Sequence, residues 1–433
     1  MDTQTPIRFS PAFYLCLLIA LIPSFGWIVH YDFTSLSTLQ IILISLAKIG
    51  AFGGLAMFGV SLIIGNKNVW LDKFFGGLDK MYYTHRIFGA TSLLLLVLHP
   101  ISLYLYKLTT TTPEPLSFFI GVESGGVLLG AIALYGMIAV LIISLYSKVR
   151  HELFIVVHRF LGVLFVIGSL HAFLSGSIIA EAMWLHYYLL ILTIISSLFF
   201  VLFTLVTDVF HKPYTYRVHA VYARPHNITE LIVEPRSRIM HFTPGQFAYI
   251  KLPHKGLGEY HPFTIASGIH DRKLRFIIRS TGDFTRAIAD VKAGTKVLAK
   301  GPFGGFTFAD KHHKNQLWIA GGIGVTPFLS KARSLRHNLA KNSIEMIYAT
   351  ADSPPFGLDE LEEIEHKNKG FNVTLFHEDT FGYVKLQTLI EHYKDVHERA
   401  IYVCGPPPLL QAVKREAEAL GISHQLHYEE FSF

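Results

Sequence analysis

Four histidines set inside long apolar runs carry the strongest chemical signal in this 433-residue chain. "YYTHRIFGATSLLLLVLHP" holds His85 and His99, fourteen positions apart, and "FIVVHRFLGVLFVIGSLHAF" holds His158 and His171, thirteen apart. Read as helices rising about 1.5 Å per residue, each run separates its imidazoles by roughly 20 Å along the axis. The result is two imidazole pairs at two matched depths, His85 with His158 and His99 with His171. Polar groups in hydrocarbon are expensive and are kept for function. Imidazoles on both axial positions of a haem iron leave no place for a substrate, which suits electron transfer. Thirteen residues do not return to one helical face, so the second run must be distorted or its two sites must lie at different azimuths. His30, His151, His186 and His211 fall at the ends of runs and read as interfacial.

The elements that must position these groups are membrane helices. Spanning hydrocarbon takes about 20 mainly apolar residues, and six stretches qualify: 11–30, 40–64, 82–106, 124–147, 153–176 and 186–207. The histidine-bearing stretches are the third and fifth, which run in the same direction. Lys67, Lys73, Lys80, Lys148, Arg150, His211 and Lys212 collect in one set of loops. Asp32, Glu114, Glu123 and Glu181 collect in the other, with Lys107 as the exception. Positive loops stay inside, so both termini and everything after the sixth helix are expected in the cytosol. The first apolar run lacks a small-residue cleavage site and reads as a retained helix. Lys48, inside the second helix, either snorkels to the surface or pairs with an anion at the outer site.

Composition changes abruptly near Asp208. A net charge of +6 and a pI near 9.0 are explained by the membrane topology, and nucleic acid is excluded as a partner. Two distant cysteines, Cys16 and Cys404, make no structural disulfide. From Lys212, runs such as "YRVHAVYA", "ITELIVEP", "QFAYIKL" and "KLRFIIRS" alternate with Gly and Pro, predicting an antiparallel barrel to about Phe308. "QLWIAGGIGVTPFLSKARSL" then reads as strand, glycine turn and helix. "IEMIYAT" and "AIYVCGPPPLLQAVKREAEAL" continue the alternation, which predicts a parallel doubly wound sheet. Gly321, Gly322 and Gly324 let the backbone approach a pyrophosphate at a helix start. "CGPPP" falls at the carboxyl edge of the sheet, where open α/β sheets bind ligands.

Taken together, these segments resemble the ferric reductase/NADPH oxidase superfamily over almost the whole chain, in the manner of a bacterial NADPH oxidase-like flavocytochrome b. The spacing of the paired histidines matches that family's haem ligands. "HPFTIAS" and "RSTGDFT" look like its flavin segments; "GGIGVTPF" and "CGPPPLL" are similar to its nicotinamide nucleotide motifs. The resemblance implies a six-helix haem domain (1–210), a ferredoxin-reductase-like FAD β-barrel (211–309) and an NAD(P)H-binding α/β domain (310–433). It implies FAD, two b-type haems on His85, His99, His158 and His171, and NAD(P)H as donor. His261, Pro262, Phe263 and Thr264 would border the flavin, with Thr264 near its reactive nitrogen. Arg279, Gly282, Asp283, Phe284 and Thr285 would cradle its pyrophosphate. Gly321, Gly322, Gly324, Thr326 and Pro327 would hold the nucleotide, with Cys404, Gly405 and Pro406 at the nicotinamide end. Phe433 would stack on the flavin and yield to nicotinamide, so Thr264, Cys404 and Phe433 are the catalytic candidates.

The implied activity moves electrons from cytosolic NAD(P)H across the plasma membrane to a small acceptor. Oxygen, giving superoxide, comes first; a ferric or cupric complex is the rival, and a haem conduit or redox sensor serving a partner protein is the alternative of another class. The sequence leaves any protein partner open. One departure from the family stands out. Members that prefer NADPH often carry an arginine after the second strand of the nucleotide domain. This chain has Thr350, Ala351 and Asp352 there, which points to NADH, since Asp352 would repel a 2′-phosphate and accept from a ribose hydroxyl.

Overall fold

A backbone in hydrocarbon must satisfy every N–H and C=O internally, which a helix does along its own length. The computed structural model describes residues 10–66, 69–111, 115–121, 124–146, 151–175, 182–202, 213–253, 257–310, 313, 315–336, 342–377 and 395–429. Among them, six helices are long and apolar enough to cross a membrane. They are α1 (Pro11–His30), α2 (Thr38–Ile64), α4 (Leu78–Leu108), α6 (Gly125–Tyr146), α7 (His151–Leu174) and α8 (Met183–Phe199), with short helices α3 (Val69–Phe75) and α5 (Pro115–Ile120) between them. Phe433 lies outside the described residues, as do several loop charges used above to orient the helices. Two compact units form, one from Phe9–Phe75 and Asp79–Lys212, the other from Gly76–Leu78 and Pro213–Phe433.

In the membrane unit, α2 begins at a capping box: Ser37 Oγ accepts from Gln40 N–H, and Gln40 returns a bond to Ser37 N–H. Such caps satisfy donors the first turn would otherwise leave open. α2 is the most enclosed of the spanning helices. Trp27, Ile44, Phe52, Leu185 and Leu189 bury one end of the bundle, joining α1, α2 and α8. Leu55, Phe58, Met137, Leu161 and Phe165 form a second cluster that brings in α6 and α7.

The second unit starts with a six-stranded antiparallel sheet in the order β4-β3-β6-β1-β2-β5. These are β1 (Tyr214–Arg224), β2 (Ile228–Pro235), β3 (Phe247–Lys251), β4 (His261–Thr264), β5 (Leu274–Arg279) and β6 (Lys296–Phe303). The expected antiparallel barrel is present as a half-barrel. His226 and Asn227 turn β1 into β2 with left-handed φ of 60° and 57°, the conformation that tight hairpins demand. Helix α9 (Asp283–Ala287) follows β5.

A five-stranded parallel sheet follows, in the order β11-β10-β7-β8-β9. Its strands are β7 (Gln316–Gly321), β8 (Ile344–Thr350), β9 (Phe371–His377), β10 (Ala400–Cys404) and β11 (Leu426–Tyr428). Helices α10 (Thr326–Leu335), α11 (Leu358–Lys367) and α12 (Pro407–Ala419) accompany them. Trp318, Phe328, Tyr348, Phe371 and Tyr402 belong to one buried cluster. Leu317, Ile319, Ile347, Val403 and Val413 belong to another. A sheet buried on both faces reads as near-continuous apolar strands. The chain moves outward from β7 through β8 to β9, then returns to place β10 on β7's other side. The topological switch point therefore lies between β7 and β10, and ligands bind at the carboxyl ends there.

Candidate functional site

His85 and His158 face each other with ring centres 6.1 Å apart and planes at 70°. Two imidazoles joined to one metal ion by bonds of about 2 Å have centres roughly 6 Å apart, a separation that this pair matches. Neighbouring helices fix the ring orientations. His85 Nδ1 lies 2.9 Å from the Ser61 carbonyl and His99 Nδ1 2.9 Å from the Ala47 carbonyl, both on α2. His171 Nδ1 lies 2.8 Å from the Gly126 carbonyl on α6. A carbonyl can only accept, so each of these Nδ1 atoms donates, and Nε2 is left with the lone pair that binds a metal. Ala47 and Ser61 are themselves fourteen residues apart, so antiparallel α2 offers one carbonyl at each imidazole level of α4.

His158 differs from the other three. Its Nδ1 is buried without a hydrogen-bond partner among the described residues, and Phe154 stacks on its ring at 5.2 Å. His99, His171 and Lys48 are close enough to interact electrostatically, and Lys48 Nζ stands 5.6 Å from the Phe52 ring centre. Gly130 lets α6 press onto the His171 imidazole. A Cβ there would sit 2.8–2.9 Å from three ring atoms, closer than atoms can approach. Small residues at helix contacts are the usual way membrane helices come together.

On the flavin side, β4 is an edge strand paired with β3, a place where Pro262 removes no needed donor. Alternation puts His261 and Phe263 on one face. Both stack on Phe284, at ring-centre distances of 3.8 and 6.1 Å. Thr264 is buried at the strand's end. The turn before α9 is held by one hydroxyl: Thr285 Oγ1 accepts from the N–H groups of Thr281 and Gly282 at 2.9 Å each and donates to the Gly282 carbonyl. Thr285 therefore shapes this loop rather than offering a free donor. Asp283 is fully exposed and pairs with Arg286 at 2.8 Å.

On the nucleotide side, Gly321 and Cys404 end the two strands that flank the switch point, since Ala320 and Cys404 are register partners. The glycines are required by packing. A Cβ on Gly324 would lie 2.3 Å from the Cys404 carbonyl oxygen, and one on Gly405 would lie 3.0 Å from Gly321 Cα. "GGIGVTPF" and "CGPPP" are thus one backbone-on-backbone seat. Gly322 takes a positive φ of 53°, and Thr326 and Pro327 open α10. The Cys404 thiol is fully buried. Burial first, and then the charge of Glu429, push it well above the ordinary thiol range, so it stands protonated at neutral pH.

Sequence reasoning missed the residues that join the flavin strand to the nucleotide helix. Ser330 Oγ donates to the Ser267 carbonyl at 2.7 Å, and Ile269 N–H donates to Ser334 Oγ at 3.1 Å. Arg333, 4% exposed, donates to the Ala266 carbonyl and forks onto Glu360 at 2.9 and 2.6 Å. Burial alone would raise the Glu360 carboxyl. Hydrogen bonds from Arg333 and its charge, with Arg336 and Arg275, hold it below the ordinary carboxylate range. The available signal was the spacing of Ser330, Arg333 and Ser334, which puts one polar stripe on an otherwise core-facing helix. Arg279, expected at the flavin pyrophosphate, forms an ion pair with Asp352.

Comparison with known proteins matches three segments of the chain. The ferric reductase like transmembrane component matches residues 50–169, an FAD-binding domain matches 214–326, and an oxidoreductase NAD-binding domain matches 318–415. The reductase component of propane 2-monooxygenase from Mycolicibacterium smegmatis is 29% identical over 234 residues, covering 50% of this chain and 67% of that protein. NADH-cytochrome b5 reductase 1 of Mycosarcoma maydis is 32% identical over 151 residues, covering 32% and 47%. The chain thus spans between about half and two thirds of the length of these relatives. Among solved structures, the FAD/NAD-binding domain of a Vibrio cholerae nitric oxide dioxygenase is 21% identical with a TM-score of 0.45, covering 51% of this chain and 99% of that one.

Proposed function

Because the chain belongs to the ferric reductase/NADPH oxidase-like superfamily in its membrane, flavin and nucleotide segments alike, and is thereby an NAD(P)H-dependent membrane oxidoreductase, we propose that it carries electrons across the bilayer to a small acceptor on the far side. Oxygen, reduced to superoxide, is the first reading. When bound, FAD takes two electrons from the nicotinamide and releases them singly, and two b-type haems carry them through the membrane. His85 with His158, and His99 with His171, would hold the two haem irons. The observation that carries this reading is the set of Nδ1–carbonyl contacts that leaves an Nε2 lone pair on each of His85, His99 and His171.

The rest is done by the chain's own groups. Thr264 and the seat formed by Gly324, Cys404 and Gly405 would hold flavin and nicotinamide edge to edge. The Arg333 contacts fix the strand and the helix that carry them, and such alignment contributes much of the rate in a transfer of this kind. A protonated Cys404 presents no anion to the hydride path. The lysine-rich loops support a reductase unit on the cytosolic side, and the membrane would be the plasma membrane. Residues 1–210, 211–309 and 310–433 would be the three functional domains, and Phe433 would cover the flavin between turnovers.

The purified full-length protein, given NADH or NADPH, separates the acceptors. Dye reduction in air that superoxide dismutase abolishes supports the oxidase. Reduction of a ferric chelate under argon, with no superoxide in air, would replace it with the metal reductase. Activity that appears only after another protein is added would favour the conduit.

A further inference from the structure

A residue assigned to one cofactor and a residue assigned to the other hold each other. Arg279 ends β5, Asp352 follows β8, and their side chains form an ion pair. His226, at the tip of the β1–β2 hairpin, brings Nδ1 to 3.6 Å from the other Asp352 oxygen. Thr350 Oγ1 accepts from Asp352 N–H at 3.0 Å and fixes its backbone. The carboxylate is only 16% exposed. An Arg279 Nη atom also lies 4.0 Å from where a Cβ on Gly322 would stand. The guanidinium therefore lies between the glycine turn and the end of the second parallel strand, at the carboxyl edge where such sheets hold the adenosine half of a dinucleotide.

We propose that Asp352 selects the nicotinamide nucleotide by occupying Arg279. The proposal rests on the oxidoreductase reading above. A guanidinium fork is the natural receptor for a 2′-phosphate, and here one Nη of that fork already donates to a carboxylate. A 2′-phosphate can take the whole fork only by displacing that carboxylate, whereas NADH can offer its ribose hydroxyl to the remaining Asp352 lone pairs and leave the pair intact. Selection of this kind works by blocking the wrong ligand as well as by contacting the right one. Simple repulsion of the 2′-phosphate by Asp352 would give the same preference, but it would not need Arg279.

That distinction sets the experiment. Flavin reduction by NADH and by NADPH is followed in full-length wild type, Asp352→Asn, Arg279→Gln and the double variant, and binding of adenosine 2′-phosphate is titrated in parallel. The titration does not depend on bound flavin, so it reports even if Arg279→Gln loses FAD. Wild type should favour NADH. Asp352→Asn should raise kcat/KM for NADPH and tighten adenosine 2′-phosphate by about tenfold, the worth of one charged hydrogen-bonded pair. In the Arg279→Gln background the same change should move either quantity by less than about twofold. A gain that survives without Arg279 would establish plain repulsion and overturn the proposal. So would equal use of both nucleotides by wild type, or no gain in Asp352→Asn. Failure of both nucleotides to reduce the wild-type flavin would sink the oxidoreductase reading itself.

Discussion

The membrane unit and the reductase unit aim their functional groups by opposite means. In the membrane unit, three of the four key imidazoles are oriented by one backbone carbonyl each from a neighbouring helix. In the reductase unit the corresponding work falls to glycine turns braced by hydroxyls and forked ion pairs. Solvent explains the difference. An ion pair in hydrocarbon must repay the desolvation of two charges. A helical carbonyl is already satisfied within its helix and can accept a second bond at little cost. Irregular turns, which lipid forbids, are free to form where water and side chains satisfy them. The ligand-orienting parts of the membrane unit are therefore almost invisible as side chains, while those of the reductase unit are charged residues far apart in sequence.

The largest test of this contrast removes a ligand. His171→Ala should halve the haem content while flavin bleaching by NADH or NADPH continues at its wild-type rate. Two haems in that variant, counted by pyridine haemochrome against flavin, would break the ligand assignment. Next comes the backbone that aims the ligand. Gly130→Ala would push a methyl into the His171 ring, whereas Gly125→Ala has nothing within 4 Å to meet. The first should disturb or empty one haem site and the second should leave both spectra unchanged. Equal behaviour of the two variants would mean that helix approach at Gly130 is incidental.

The reductase unit should fail differently, by loosening. Removing one partner of a buried ion pair strands the other, at a cost of about 3 kcal/mol. Arg333→Ala should therefore lower the melting temperature followed by flavin fluorescence and slow hydride transfer per bound flavin, without touching haem content. Acid should act on the same clasp. Glu360 titrates below its ordinary 4.5 in the folded protein. Its contribution to stability is thus complete above that value and is lost as pH falls through the lower, folded one. A pH series of melting curves for wild type and Glu360→Gln should converge at the acid end and separate above it. A constant offset across the series would remove Glu360 from the explanation.

The same contrast decides what could be read from residues alone. Histidines in an apolar run stand out because hydrocarbon tolerates so few polar groups, and the six spans follow from length. Glycine turns before a helix are equally legible, as are the parallel strands around them. The carbonyls of Ala47, Ser61 and Gly126 were not legible, since every residue has one. Arg333 resembles any arginine on an amphipathic helix until Ala266 and Glu360 are placed beside it. The Arg279–Asp352 contact joins positions 73 residues apart whose separate resemblances pointed to different cofactors. The expectation that Asp352 stands as a bare repulsive charge is modified accordingly, because its carboxylate is already paired.

The smallest effect probes whether the carbonyl rule in the membrane unit is strict. Ser61 offers His85 two acceptors, its carbonyl at 2.9 Å and its hydroxyl at 3.0 Å from Nδ1. The hydroxyl also donates to the His85 carbonyl at 3.3 Å, so it is already engaged along α4. If the carbonyl is what holds the Nδ1 proton, Ser61→Ala keeps that bond and loses only a side interaction worth about 1 kcal/mol or less. Haem content and the reduced spectrum should then match wild type, with at most a slight drop in thermal stability. Loss of the haem at His85 in Ser61→Ala would show that the hydroxyl aims the ring, and that in this one place the membrane unit uses a side chain as the reductase unit does.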